Sequence, residues 1–221
     1  MTVAAIVLVP DTAVALSDAD GDPAIRRVVH AAWSGGAMPI VVVTDDTDER
    51  LVDAVAEPGV TIARPGPDEP RGVAWFVHGL RAASSAVAES TAGLLWPVRC
   101  AWVDPETVTS LVEAHGSTPD PIVRPAFSGQ VGFPILVPIA FAERLLTRLD
   151  LHGFQAVEAL VADGAAYRAL ELGDPGIVFD LATPRADLPG YQGPPEPAGA
   201  TPPEWNAALA AQAERSGEPG R

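Results

Sequence analysis

Lysine is absent from all 221 residues, cysteine occurs once, and no apolar run approaches the length of a membrane span. Each absence removes a class of function. Without lysine there is no ammonium group to help cradle a triphosphate. The single cysteine, Cys100, excludes an intrachain disulfide and a cysteine-built zinc site, as suits a reducing cytoplasm. It follows the apolar run Leu94–Val98 and is expected as a buried, unreactive thiol. A spanning helix needs roughly 20 consecutive apolar residues. Lacking one, and lacking a basic stretch before the first strand, the chain is expected to be soluble and cytoplasmic. Positive charge is scarce as well: 14 basic residues face 29 acidic ones, a net charge of −15. That field repels DNA, RNA and anionic membranes, so neither a nucleic acid nor a membrane is expected as a partner.

The first loop lacks what a phosphate site needs. Val3 to Val9 reads as a strand and runs into Pro10-Asp11-Thr12. A βα loop that binds phosphate uses glycine, so that backbone N–H groups can approach the anion, and usually a nearby cation. Pro10 has no N–H, the acids Asp11, Asp18, Asp20 and Asp22 follow, and the next base is Arg26.

A sizeable core is present: 48% of residues are hydrophobic against 19% charged. Strand-length apolar runs alternate with helical patterns, which predicts a mostly parallel sheet wrapped by helices. Ala4–Val9, Pro39–Thr44, Val60–Ala63, Leu94–Val98, Ile122–Arg124, Tyr167–Leu172 and Ile177–Phe179 read as strands. A hairpin turn at Ser128-Gly129-Gln130 joins Pro125–Phe127 to Phe133–Val137. Asp22-Pro23 predicts an N-cap and first residue for a helix that ends near Gly35-Gly36, and Asp104-Pro105 repeats the device. Further helices are predicted over Thr47–Ala56, Val73–Ala88, Pro138–Leu149 and Gly153–Ala162. From Pro189 onward Pro, Gly and Glu dominate, so the chain divides into a domain over 1–190 and a tail over 191–221 with a candidate short helix at Glu204–Glu214. That tail is expected to be a mobile extension or an arm that packs on a second subunit.

Three stretches then carry a resemblance. Phe127-Ser-Gly-Gln-Val-Gly-Phe-Pro-Ile-Leu resembles the Gly-x-x-Gly-His-Pro-(Val/Ile)-Leu hairpin of MobA-like NTP transferases, notably the molybdenum cofactor cytidylyltransferase branch. The segment Asp180-Leu-Ala-Thr-Pro-Arg-Ala-Asp-Leu resembles that family's closing Asp-(Ile/Val)-Asp-Thr-Pro-Glu-Asp element, and Leu151-His-Gly-Phe-Gln resembles its Asp-x-Gly-Ala-Arg helix start. The likeness covers about residues 1–190. It implies a three-layer α/β/α sandwich with a mostly parallel, Rossmann-like sheet of the nucleotide-diphospho-sugar transferase (GT-A-like) type. It also implies an ancestral reaction: nucleotidyl transfer from an NTP to a phosphate-bearing acceptor, with Mg²⁺ held by carboxylates.

Carried over residue by residue, the resemblance loses its chemistry. The glycine-rich loop falls on Leu8–Leu16, with no glycine and no base. The metal-binding Asp of Asp-Met-Pro falls on Arg99, the hairpin His on Phe133, and the second closing Asp on Ala182, while Asp180 survives. The segment that meets the nucleotide base reads Trp75-Phe76-Val77-His78-Gly79. Neither Mg²⁺ nor a nucleotide cofactor is therefore expected, and no catalytic or metal-binding residue is assigned. A residual cleft is expected from Pro10, Asp11, Trp75, Arg99, Phe133 and Asp180.

Within it Arg99 has two readings: an ion pair with Asp180 or Asp11 across the old metal position, or a direct contact to a phosphate or carboxylate ligand. Trp75, Phe76 and Phe133 either line an apolar site or fill volume once used by nucleotide. The histidines are scattered without metal-ligand spacing, and Asp45, Asp46, Asp48 and Glu49 suit a helix start without a ligand. The expectation is a diverged family member that acts as a binding or assembly partner, to an unidentified protein or as a homodimer. The alternative is a working transferase of the cytidylyl or guanylyl type, with a rebuilt phosphate site.

Overall fold

The computed structural model describes residues 2–193 apart from 47, 57, 58 and 150. The predicted Glu204–Glu214 helix lies outside the described residues. Along the chain run β1 (Thr2–Leu8), α1 (Thr12–Ala15), β2 (Asp18–Ala19), β3 (Asp22–Pro23), α2 (Ala24–Ser34), β4 (Ile40–Val43), α3 (Glu49–Ala54) and β5 (Val60–Ala63). There follow α4 (Val73–Ala86), β6 (Ser90–Pro97), α5 (Pro105–Ser117), β7 (Ile122–Phe127), β8 (Gln130–Val131), β9 (Ile135–Pro138), α6 (Ala142–Leu146), α7 (Gly153–Ala162) and β10 (Tyr167–Glu171). The main sheet has the order β10-β7-β9-β6-β1-β4-β5, with β8 hairpinned onto β7. β1 pairs in parallel with β4 and β6, and β10 in parallel with β7, whereas β9 is antiparallel to both its neighbours.

From Val3 onward β1 is apolar without interruption because both of its faces are covered, as a central parallel strand requires. Its pleat sends Val3, Ala5 and Val7 into one core, against α2, α3 and α5, and Ala4, Ile6 and Leu8 into the other, against α4 and α7. β4 divides in the same way, Ile40 and Val42 from Val41 and Val43. The three-layer α/β/α sandwich expected from the sequence is thus present.

α4 lies close on the sheet because it carries no side chain at its contact point. A Cβ on Gly79 would collide with Ile6 Cγ2 and sit 2.9 Å from Val43 Cγ2. Gly93 on β6 does the same from the sheet side, where a Cβ would strike Leu80.

Two local expectations are corrected. Asp22 does not cap α2: Asp22-Pro23 forms β3, antiparallel to β2, and Pro23 stands at the cap with no side-chain bond. The cause is the turn between them. Asp20 and Gly21 both take positive φ (63° and 89°), and Asp18 Oδ1 accepts the Gly21 N–H at 3.1 Å, a primed hairpin turn that holds Asp22 extended. Ile177–Phe179 is not a strand either. Pro175–Ile177 is a 3₁₀ turn capped by Asp174, whose Oδ1 accepts from Gly176 N at 2.8 Å. By contrast Asp104 caps α5 as expected, accepting from Glu106 N at 3.1 Å with Pro105 next.

Candidate functional site

Where β1 and β6 end side by side, the two following turns enclose a cavity of about 180 Å³ lined by Pro10, Asp11, Val14, Pro97, Val98 and Arg99. Val98 N donates to Leu8 O, holding the turns together. Asp11 is spent locally: its Oδ1 accepts from Ala13 N at 2.9 Å and caps α1.

The turn that presents Arg99 is rigid. Cys100 N donates to Pro97 O, and the buried Trp96 indole N–H donates to Cys100 O at 2.9 Å. Cys100 itself is buried, which pushes its thiol up to about 12 and leaves it an inert packing group. The Arg99 side chain reaches out to Asp180, with Nε 3.2 Å from Oδ2. The backbones are tied too, since Leu181 N donates to Arg99 O at 3.0 Å. Of the two acids expected to face Arg99, Asp180 is the one it meets.

Phe133 and Trp75 stand apart from that cavity. Phe133 packs against both cores, tilted on Phe154 at 5.8 Å between ring centres, and its N–H donates to Ile177 O. Phe154 in turn carries the buried Arg124 guanidinium 4.0 Å from its ring centre. Trp75 is buried in the α4-side core with the Arg71 guanidinium over its ring at 5.4 Å. Both aromatics thus fill space in the described structure; neither lines the cavity beside Arg99.

The ion that the family resemblance implies does not suit these residues. A guanidinium stands where the resemblance would put a carboxylate, it engages Asp180 Oδ2, and Asp180 Oδ1 accepts from Ala182 N at 3.0 Å. Among the described residues no group of three or more His, Cys, Asp or Glu side chains is placed to hold a metal. Hard divalent cations need several oxygen ligands, and the two carboxylates at this corner, Asp11 and Asp180, are both already committed.

Beside this corner lies a group that the sequence reading missed. Trp102 donates its indole N–H to both Asp180 O and Thr183 O at 3.0 Å, and Arg27 sits over its ring at 5.4 Å. Trp102, Arg27, His30, Asp22, Asp104 and Arg185 line a second cavity, of about 270 Å³. The available signals were the Asp20-Gly21 turn, which sets the start of α2, and Asp174-Pro175-Gly176, which folds the C-terminal segment over α5. Nothing in the sequence spacing links Arg27 to Arg185.

Comparison with known proteins bears on the fold and the family. Residues 14–168 match the MobA-like NTP transferase domain. Among solved structures, the Rv0371c protein of Mycobacterium tuberculosis, determined with manganese, superposes with a TM-score of 0.59 at 19% identity, over 78% of this chain and 89% of that one. A Methanothermobacter nucleotidyl transferase gives 0.61 at 19% identity, over 77% and 87%. The 4-diphosphocytidyl-2C-methyl-D-erythritol synthase of Anaerococcus prevotii gives 0.59 at 13% identity, over 82% and 91%. No curated protein matches the sequence.

Proposed function

We infer the function from one premise: this chain belongs to the MobA-like NTP transferase family. Its cleft is that of a diverged member that has given up metal-dependent nucleotidyl transfer and serves as a binding or assembly partner. The observation that carries this reading is the Arg99–Asp180 ion pair. Nucleotidyl transfer needs cations gathered around a triphosphate and its leaving pyrophosphate. Here the only cation in the cavity-lining set is Arg99, and its charge is shared with the acid that would have helped hold the metal. The loop after β1 supports the same reading: Pro10 supplies no N–H, and Asp11 turns its carboxylate on its own helix.

The pair itself adds little stability. Both side chains are partly exposed, so its worth is at most about 1 kcal/mol. Its role is to occupy the position and to neutralise it.

Calorimetric titration with CTP, GTP and ATP, each with and without Mg²⁺, tests the reading. The expected outcome is no Mg²⁺-dependent heat with any of the three. Binding at micromolar strength that requires Mg²⁺ would overturn it in favour of a working transferase with a rebuilt site.

A further inference from the structure

Arg27 on α2 and Arg185 in the 3₁₀ turn Arg185–Asp187 come from distant parts of the chain and converge on one cavity of about 270 Å³. They share one acid at ion-pair distance: the Nη1 atoms of Arg27 and Arg185 lie 4.0 and 3.1 Å from the same oxygen, Asp20 Oδ2. Two further acids line the same cavity, and of these Asp22 also acts on Arg27 electrostatically. Asp22 lies 3.8 Å from Arg26, and Asp104 caps α5. The Arg27 guanidinium carbon lies 5.4 Å from the Trp102 ring centre, its Nε is buried with no hydrogen-bond partner among the described residues, and its pKa is lowered first by burial and then by Arg185. Asp20 is a poor match for this arrangement. Its side chain is 57% exposed, and it sits at the tip of a two-residue hairpin.

We propose that this cavity binds a small, hydroxyl-bearing phosphate monoester, with the phosphate between Arg27 and Arg185 and the hydroxyls donating to Asp22 and Asp104. Guanidinium forks match phosphate oxygens two at a time, and two forks from different elements suit a dianion better than a carboxylate, which one fork satisfies. Asp20 then acts as a resident competitor that the phosphate displaces. This inference is independent of the Arg99 cleft and needs no divalent ion.

The test is calorimetric titration with glycerol 3-phosphate in metal-free buffer, with inorganic phosphate and acetate as comparison arms. Saturable binding of glycerol 3-phosphate is expected, with inorganic phosphate weaker and acetate silent. Arg185→Gln should weaken it about tenfold, the scale of one charge-assisted pair. That side chain is half exposed, so the variant keeps its fold. Asp20→Asn, a residue that tolerates positive φ, should tighten binding several-fold. Arg81→Gln, on α4 across the sheet, should change nothing. The proposal is overturned by absence of saturable binding to wild type and Asp20→Asn alike. Binding unchanged in Arg185→Gln, weaker binding in Asp20→Asn, or acetate binding as well as the ester would each overturn it too.

Discussion

Asp174 is 2% exposed and receives three hydrogen bonds, from Asp104 N at 2.9 Å, Thr107 Oγ1 at 2.7 Å and Gly176 N at 2.8 Å. Burial raises its pKa, the first of several opposing influences, while the three donors hold it down. One side chain thereby fastens the C-terminal segment to the start of α5. Asp174→Ala leaves all three donors unpaired in a buried place, so it should cost about 2–4 kcal/mol. A lower urea midpoint at unchanged slope would register that loss, and Asp174→Asn should recover part of it. At this scale the sequence was informative where a residue's role is local. Arg99 was legible because it stands in a recognisable strand-end motif, and the Cys100 burial followed from the apolar run before it. Arg27 and Arg185 were not, because only the fold brings them to a common oxygen.

α4 and the sheet meet at Gly79 and Gly93, where ordinary helix propensity gives the wrong answer. Alanine in a helix is favoured over glycine by about 1 kcal/mol. Against that, a methyl group at Gly79 must displace Ile6 and Val43, both fully buried. Overpacking of this kind costs about 1–3 kcal/mol, so Gly79→Ala should destabilise on balance, read as a lower melting temperature. The central strands, the mostly parallel character of the sheet and the bounds of β5 and α7 were readable in the sequence, because burial on both faces writes continuous apolar runs. What was missed follows one pattern. β6 begins four residues before the predicted Leu94, since Ser90 pairs with Thr2 at the strand's polar end, with Thr91 at the register shift that follows. β3 carries the Asp-Pro pattern of a good helix cap, yet the preceding Asp-Gly turn fixes that backbone as extended. Ile177–Phe179 has strand composition, but Asp174-Pro175-Gly176 imposes a turn ahead of it.

Over the whole molecule, acidity pulls stability in two directions. The net charge of −15 means that protonating carboxylates relieves self-repulsion as pH falls. His115 opposes this. It is 1% exposed, its Nε2 lies 3.0 Å from Thr91 Oγ1, its Nδ1 has no partner among the described residues, and burial lowers its pKa below the usual value near 6.5. A group whose folded pKa is depressed contributes stability that is complete above its unfolded pKa. That contribution is lost as pH drops toward the folded value. Wild type should therefore lose stability relative to His115→Gln as pH is lowered below about 6.5, and the two curves should run parallel above it. Urea midpoints measured across that range would show the divergence; parallel curves throughout would exclude His115 as the source.

The Arg99–Asp180 closure has a consequence for how this fold relates to its surroundings. A bound ion exchanges with solution, so a cleft organised by one reports the ionic supply around it and empties when that supply falls. A guanidinium is part of the chain. Its charge arrives with translation, cannot be chelated, and does not vary with divalent concentration. The end of the sheet where β1 and β6 meet thus takes its positive charge from the chain itself and not from the divalent supply.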